Sequence, residues 1–563
     1  MKKLYIKSLL TALLLICLTG CTKDLDLSPL DSISDASFWK SSSDFQKAAN
    51  ALYAALPGFT TFDLDADMAF RTPNSTSNST STTPDTDSNW NTPYTRIRNC
   101  NNLLEKASAS TIASEIKVYV AEAKFFRAYN YWSLYRLYGG VPVVTEVLGI
   151  NSEELYGTRN SAKETVDFIL QDLKEAVSDL PEESEVSAAN KGRITKGAAN
   201  GLRARVALYE GTWRKFRNDG EANSYLDIAV EAANTVINSG QYGLFTGQGA
   251  ESYQKLFDNE GDNSSECILD RRYESMVNQH SFSRGLQQNG YLPTKQLADM
   301  YLCKDGLPVS KSPLFKGYDT RISEFENRDP RMAQTIMIPG TVAYAPILPD
   351  PVEHWPFYPD RVYTTGYIIF KYMTQDPNGQ MTPYLDQQGW DHHIIRYAEV
   401  LLIYAEAMYE KNGSISDSDL DKTINAIRRR AGLTTALTNA FVTANGLDMR
   451  EEIRRERTVE LALEGFRWDD LRRWKTAETE LKKAIRGIKI AGTEWGTQPI
   501  IISGVDQNPY SKPEWQNRTD AEGFIISEAA DARSGFNPDK HYLRPIPAKE
   551  IQLNPNLQQN PGW

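Results

Sequence analysis

The stretch from Glu115 to Tyr138 restricts the fold more than any other part of this chain. Val118, Ala121, Phe125, Ala128, Trp132 and Tyr135 recur at spacings of three and four, which places them on one face of a helix of about six turns. Gly139-Gly140-Val141-Pro142 follows, and it stops the helix because glycine accepts the backbone of a helix end and proline cannot continue one. A helix with such a face must bury it against others. Comparable patterns run from Asp44 to Leu56, Ala162 to Leu180, Thr195 to Phe216 and Tyr225 to Ser239. Their lengths and short connections predict a mainly α fold of antiparallel, tetratricopeptide-like helix pairs. That reading rests on helix spacing, since no clean self-match at roughly 34 residues is present.

The pattern breaks between about 243 and 390, where Pro and Gly become frequent and Tyr, Trp and Phe cluster irregularly. It returns after residue 391 and breaks again from about 487 to 540. The expected organisation is a helical scaffold over about 30–240 and 391–486, carrying long irregular loop-rich insertions over the two broken regions. The polar tract from Thr72 to Asn91 reads as a long exposed loop. Loops vary at little thermodynamic cost on rigid helices, which is an architecture suited to binding.

The amino terminus says where such a body would work. Lys2, Lys3 and Lys7 precede an apolar run from Leu9 to Leu18, and Leu18-Thr19-Gly20-Cys21 closes it. This predicts a lipoprotein signal peptide over 1–20, with Cys21 lipidated and 21–563 held at a membrane by that anchor. The run is too short to span a hydrocarbon core of about 30 Å as a helix. The formal charge is -11, and losing three signal lysines takes the remainder to about -14, so nucleic acid is not an expected partner. Cys100, Cys267 and Cys303 show no Cys-x-x-Cys spacing and read as thiols behaving like small hydrophobes.

No cofactor, metal or catalytic group is expected from the motifs. Glu456, Glu460 and Glu464 fall at i, i+4 and i+8 beside Arg457 and Arg467. They read as a helix-packing ion network, because glycosidase carboxylates flank a cleft about 5 to 10 Å apart. His392 and His393 are adjacent and point apart, and no zinc spacing joins them to His280, His354 or His541. Asp63, Asp65 and Asp67 copy the start of a calcium loop, but Met68 stands where glycine is needed and Asn74 where glutamate is needed, so a solvated acidic turn is expected. Gly247-Gln248-Gly249 lacks the rest of a nucleotide loop.

Seven segments in order resemble the SusD/RagB family of surface glycan-binding lipoproteins. They are Leu25-Asp26-Leu27-Ser28-Pro29 with Phe38-Trp39-Lys40; Trp90-Asn91-Thr92-Pro93-Tyr94; Glu122 to Ala128 running to Pro142; Arg396 to Leu402 with Tyr404-Ala405-Glu406-Ala407; Ile427 to Gly432; Glu456 to Trp474; and Leu543 to Pro547 with the end at Gln559 to Trp563. The resemblance implies an α-helical body with four tetratricopeptide-like units at the outer face of the outer membrane. It further implies a lid on a SusC-like TonB-dependent transporter that captures oligosaccharide or polysaccharide without catalysis.

Sugar rings present an apolar C–H face and a hydroxyl rim, so a binding site needs flat aromatic platforms with polar neighbours. Trp90 beside the polar tract, Trp355 and Tyr358 in His354 to Pro359, and Trp390 are the candidate platforms, with Arg71 and Asn89 as polar partners. Tyr363 and Trp515 are the reserves. A surface glycan hydrolase, a structural lid for the transporter and a peptide binder are the competing readings.

Overall fold

The computed structural model describes residues 38–60, 62–72, 77, 80–288, 291–339, 364–373, 387–502 and 504–563. The lipoprotein signal with Cys21, and Trp355, Tyr358 and Tyr363, lie outside the described residues. About 48% of the chain is helical, so the short two-stranded ladders are connections on a helical body. Helices α1 (Ser42–Leu52), α2 (Ser88–Ser108), α3 (Ala113–Tyr138), α4 (Ala162–Asp179), α5 (Lys196–Lys215) and α6 (Ala222–Asn238) follow one another. α2 packs on α3, α3 on α4 and α5 on α6, and the short links 109–112 and 216–221 make the first and last of these pairs antiparallel.

The sequence places the ends of these helices. Ser161 caps α4 in a capping box with Glu164, and the Thr195 hydroxyl accepts from the Ala198 N–H at the start of α5. α3 ends at Gly139, whose φ of 73° is costly for other residues. Gly140 then lets the chain pass so close to the start of α4 that a Cβ would sit 2.2 Å from the Asn160 carbonyl oxygen. α3 differs from its expected single apolar face. It buries Phe126, Tyr131, Leu134 and Tyr138 as well, because α1, α2 and α4 enclose it. The polar tract also ends earlier than expected, since the Asp87 carboxylate accepts from the Asn89 N–H and starts α2 at Ser88.

The second half adds α7 (Pro330–Thr335), α8 (Tyr397–Asn412), α9 (Ile424–Arg430), α10 (Met449–Glu460), α11 (Arg467–Arg473) and α12 (Ala548–Leu553). α8 packs on both α6 and α10 and joins the halves. Antiparallel ladders pair β1 (Ala69–Phe70) with β3 (Leu292–Pro293), β2 (Cys267–Arg271) with β4 (His392–Arg396), and β5 (Ile485–Lys489) with β6 (Phe524–Glu528).

A buried ion network lies where these elements meet. Glu460 takes Arg396 at 2.7 Å, Arg331 at 3.0 Å and also Arg430. Glu456 pairs with Arg331 and Arg428, both at 2.7 Å, and Glu464 with Arg396 and Lys371 at 2.7 Å. The expected single helical face is incomplete: α10 stops at Glu460, and Glu464 sits beyond Leu463, whose φ is 62°. The acidic turn is not solvated as expected either. Asp67 grips Arg467 with two bonds of 2.8 Å, and Asp63 accepts from the Gly465 and Arg467 N–H groups. Both carboxylates are buried because they cap and clamp α11; only Asp65 between them is exposed.

Candidate functional site

A surface groove of about 460 Å³ runs between the first half of α2, the loop 142–157 and α12. α2 fixes one side of that loop. The Tyr94 hydroxyl donates to the Pro142 carbonyl at 2.9 Å, the Asn101 amide donates to the Val144 and Glu146 carbonyls at 3.0 and 3.1 Å, and Arg98 donates to the Leu148 carbonyl at 2.6 Å. The carboxy-terminal segment holds the other side, where Asn556 donates to the Tyr156 carbonyl at 2.7 Å and Asn554 to the Gly157 carbonyl at 2.8 Å. A loop tied from both flanks presents its side chains in fixed positions.

Trp90, Tyr94 and Tyr156 give the groove its aromatic surface, and Arg98, Glu146, Glu154 and Glu550 give it hydrogen-bonding groups, while the buried Asn101 amide is engaged with the loop and with Arg127. Burial pushes the Glu550 carboxyl above the usual carboxylate range. Tyr156 is 54% exposed, so its ring is open to a ligand, and Leu155 at 42% and Leu553 at 69% extend the apolar rim. Flat rings beside hydroxyl-binding side chains are the chemistry that sugar recognition requires.

A family profile described as the SusD family matches residues 255–563, more than half of the chain. The chain belongs to the SusD family. A second profile, described as "Starch-binding associating with outer membrane", matches residues 44–208. The SusD-like protein P38 of Formosa agariphila is 27% identical over 548 residues, covering 89% of this chain and 98% of that protein. A SusD-like carbohydrate binding protein from Bacteroides fragilis has a solved structure with 24% identity and a TM-score of 0.71, covering 93% of this chain and 100% of the other. A laminarin binding SusD-like protein shares 21% identity at a TM-score of 0.56, covering 92% and 99% of the two chains. The two solved structures share this fold. Among the described residues no helix is long and apolar enough to cross a membrane.

The SusD-family scaffold separates the aromatic residues singled out in the sequence. Trp90 lies at the groove but is only 4% exposed, its ring set edge-on to Tyr138 at 5.0 Å and 5.3 Å from Tyr94. It forms the floor of the groove and offers no open face. Asn89 is exposed and its amide donates to Asp87 at 2.8 Å, within the helix cap. Arg71 is exposed just after β1 and is not among the groove residues. Trp390 is a core residue: it is 1% exposed, stacked on Tyr372 at 5.9 Å and edge-on to Phe59 at 4.4 Å. Trp515 is also buried. Tyr156, the open ring, stands after Glu153-Glu154-Leu155 with no periodic signal to mark it, and its carbonyl is held by Asn556, a residue 400 positions away.

Proposed function

We propose that this SusD-family protein binds oligosaccharides at the cell surface and passes them to a SusC-like TonB-dependent transporter of the outer membrane without cleaving them. The observation that carries this reading is the groove at Tyr156, in which an open ring lies among carboxylate and guanidinium groups. Its volume suits a short stretch of glycan, within the usual range for small-ligand sites of roughly 300 to 1,000 Å³. The family profiles and the carbohydrate-binding relatives support the same substrate class. Leu155 and Leu553, exposed at the groove, form an apolar flank that suits burial against a partner protein. A groove beside such a flank would hold sugar at the junction with the transporter.

Calorimetric titration with starch-derived and laminarin-derived oligosaccharides, paired with an assay for new reducing ends, tests the reading. Binding of at least one series with no sugar released is the expected result. Release of sugar would make the protein a hydrolase, and no binding to any glycan would leave a structural lid or peptide binder. The anchor is tested separately. Cys21→Ala should leave the protein out of the outer-membrane fraction, because lipid chains supply the attachment; unchanged partitioning in cells lacking the transporter contradicts a lipid anchor.

A further inference from the structure

The ladder of β2 with β4 brings together three side chains that the sequence keeps apart. Cys267 and Asp270 are three apart on a strand, which in regular pairing points them to opposite faces. The register shifts on both sides of Leu269 remove that alternation, as β-bulges do. Both side chains then meet His393, whose Nδ1 lies 2.9 Å from the Asp270 carboxylate and 3.4 Å from the Cys267 sulfur. The three donor atoms all fall within 4.8 Å of one another.

The other nitrogen of His393 fixes the ring. Nε2 lies 2.7 Å from the Leu256 carbonyl oxygen, so it carries a hydrogen and donates, which directs Nδ1 toward the sulfur and the carboxylate. A histidine held through its outer N–H by a carbonyl is the usual support of a metal ligand. The Gly261 carbonyl oxygen is 3.3 Å from the same sulfur. A tetrahedral zinc ion with bonds of about 2.0 to 2.3 Å separates its donors by roughly 3.3 to 3.6 Å, and the two Nδ1 contacts, at 2.9 and 3.4 Å, lie within a few tenths of an ångström of that spacing. The His393 and Asp270 side chains are 3% and 10% exposed. Asp270 also lines a cavity of about 430 Å³ bounded by Asn50, Arg193 and Asn278, which gives an ion a way in.

We propose that Cys267, Asp270 and His393 bind a divalent transition-metal ion, zinc above all, with the Gly261 carbonyl or a water from the cavity as fourth donor. Thiolate, imidazole and carboxylate are the ligand set that such an ion prefers and that calcium or magnesium does not. One thiolate and one carboxylate also balance the double charge, leaving a buried site without net charge. The ion would tie β2 and β4 to the segment carrying Leu256 and Gly261, a structural role away from the sugar groove.

Cobalt(II) reports such a site directly. The full-length protein, purified in detergent and stripped with chelator, should take up one equivalent of Co²⁺ with a near-ultraviolet thiolate charge-transfer band and visible bands of tetrahedral intensity, both lost on adding Zn²⁺. Cys267→Ser should abolish the charge-transfer band and weaken uptake at least tenfold, with unchanged circular dichroism showing that the variant still folds. No Cys267-dependent band in the parent protein overturns the proposal, as does calcium uptake that Cys267→Ser leaves unaltered, which would mark an oxygen-only site.

Discussion

Glu460→Gln should lower the free energy of unfolding by about 3 to 5 kcal/mol, the usual cost of removing one partner from a buried ion network. Glu460 is fully buried, and Arg331, Arg396 and Arg430 all converge on it. Glutamine keeps the shape and removes the charge, so three guanidinium groups lose the carboxylate they share. Burial by itself would raise the pKa of Glu460, but the three arginines outweigh it and hold the carboxyl at about 2. Glu406, buried against Arg473, is held at about 2 by the same balance. These folded-state values lie below the ordinary 4.5, so the unfolded chain binds the protons first. Their contribution is therefore complete above about pH 4.5 and is lost as pH falls toward 2, at about 3 kcal/mol for each group. Asp63 works in the opposite direction, because burial lifts it to about 7, and the stability it contributes is lost as pH rises from about 4 to 7. Urea unfolding of the parent and Glu460→Gln at several pH values checks both statements: the gap between the two proteins should narrow below pH 4.5. A gap that stays constant with pH would mean that the charge of Glu460 is not what stabilises the fold.

Trp90→Ala should destabilise the protein by about 3 to 5 kcal/mol, the range for deleting a buried tryptophan side chain. Trp90 supports Tyr94 and packs edge-on to Tyr138, and the Tyr138 hydroxyl donates to Asp87, the cap of α2, at 2.7 Å. Removing the indole opens a void beneath the groove and loosens the start of α2. The sequence alone predicts lost affinity with an intact fold, and burial reverses that expectation. A denaturant midpoint equal to that of the parent protein would show that the indole is dispensable to the core.

Helices were the legible part of this chain because their apolar residues repeat locally. Gly139, Ser161 and Thr195 mark ends that a reader of the sequence can find, and the structure places those ends within a few residues of the expected ones. The carboxylates of α10 were also readable as scaffold, though their partners were not: Arg331 and Arg396 come from 129 and 64 positions away. The loops carried no such signal. Whether Trp90 or Trp390 packs inward depends on Tyr138 and Tyr372, distant in sequence from each. Tyr156 is a single ring in a polar stretch, and only the return of the carboxy-terminal segment turns it into the wall of a groove. The pairing of Cys267 with His393 was hidden for the same reason, since a register shift between strands leaves no spacing to recognise.

The central claim is that an open ring at Tyr156 holds sugar. Calorimetry of the parent and Tyr156→Ala with whichever oligosaccharide the parent binds, at low and high salt, tests it most directly. The variant should lose about three- to tenfold in affinity, the worth of roughly 0.5 to 1.5 kcal/mol for an aromatic contact, with an unchanged unfolding midpoint because the ring is half exposed. Salt should have little effect on either protein, since the contacts are to a neutral ligand. Equal affinity in the two proteins would remove the groove from the binding site and move recognition to Trp355 and Tyr358.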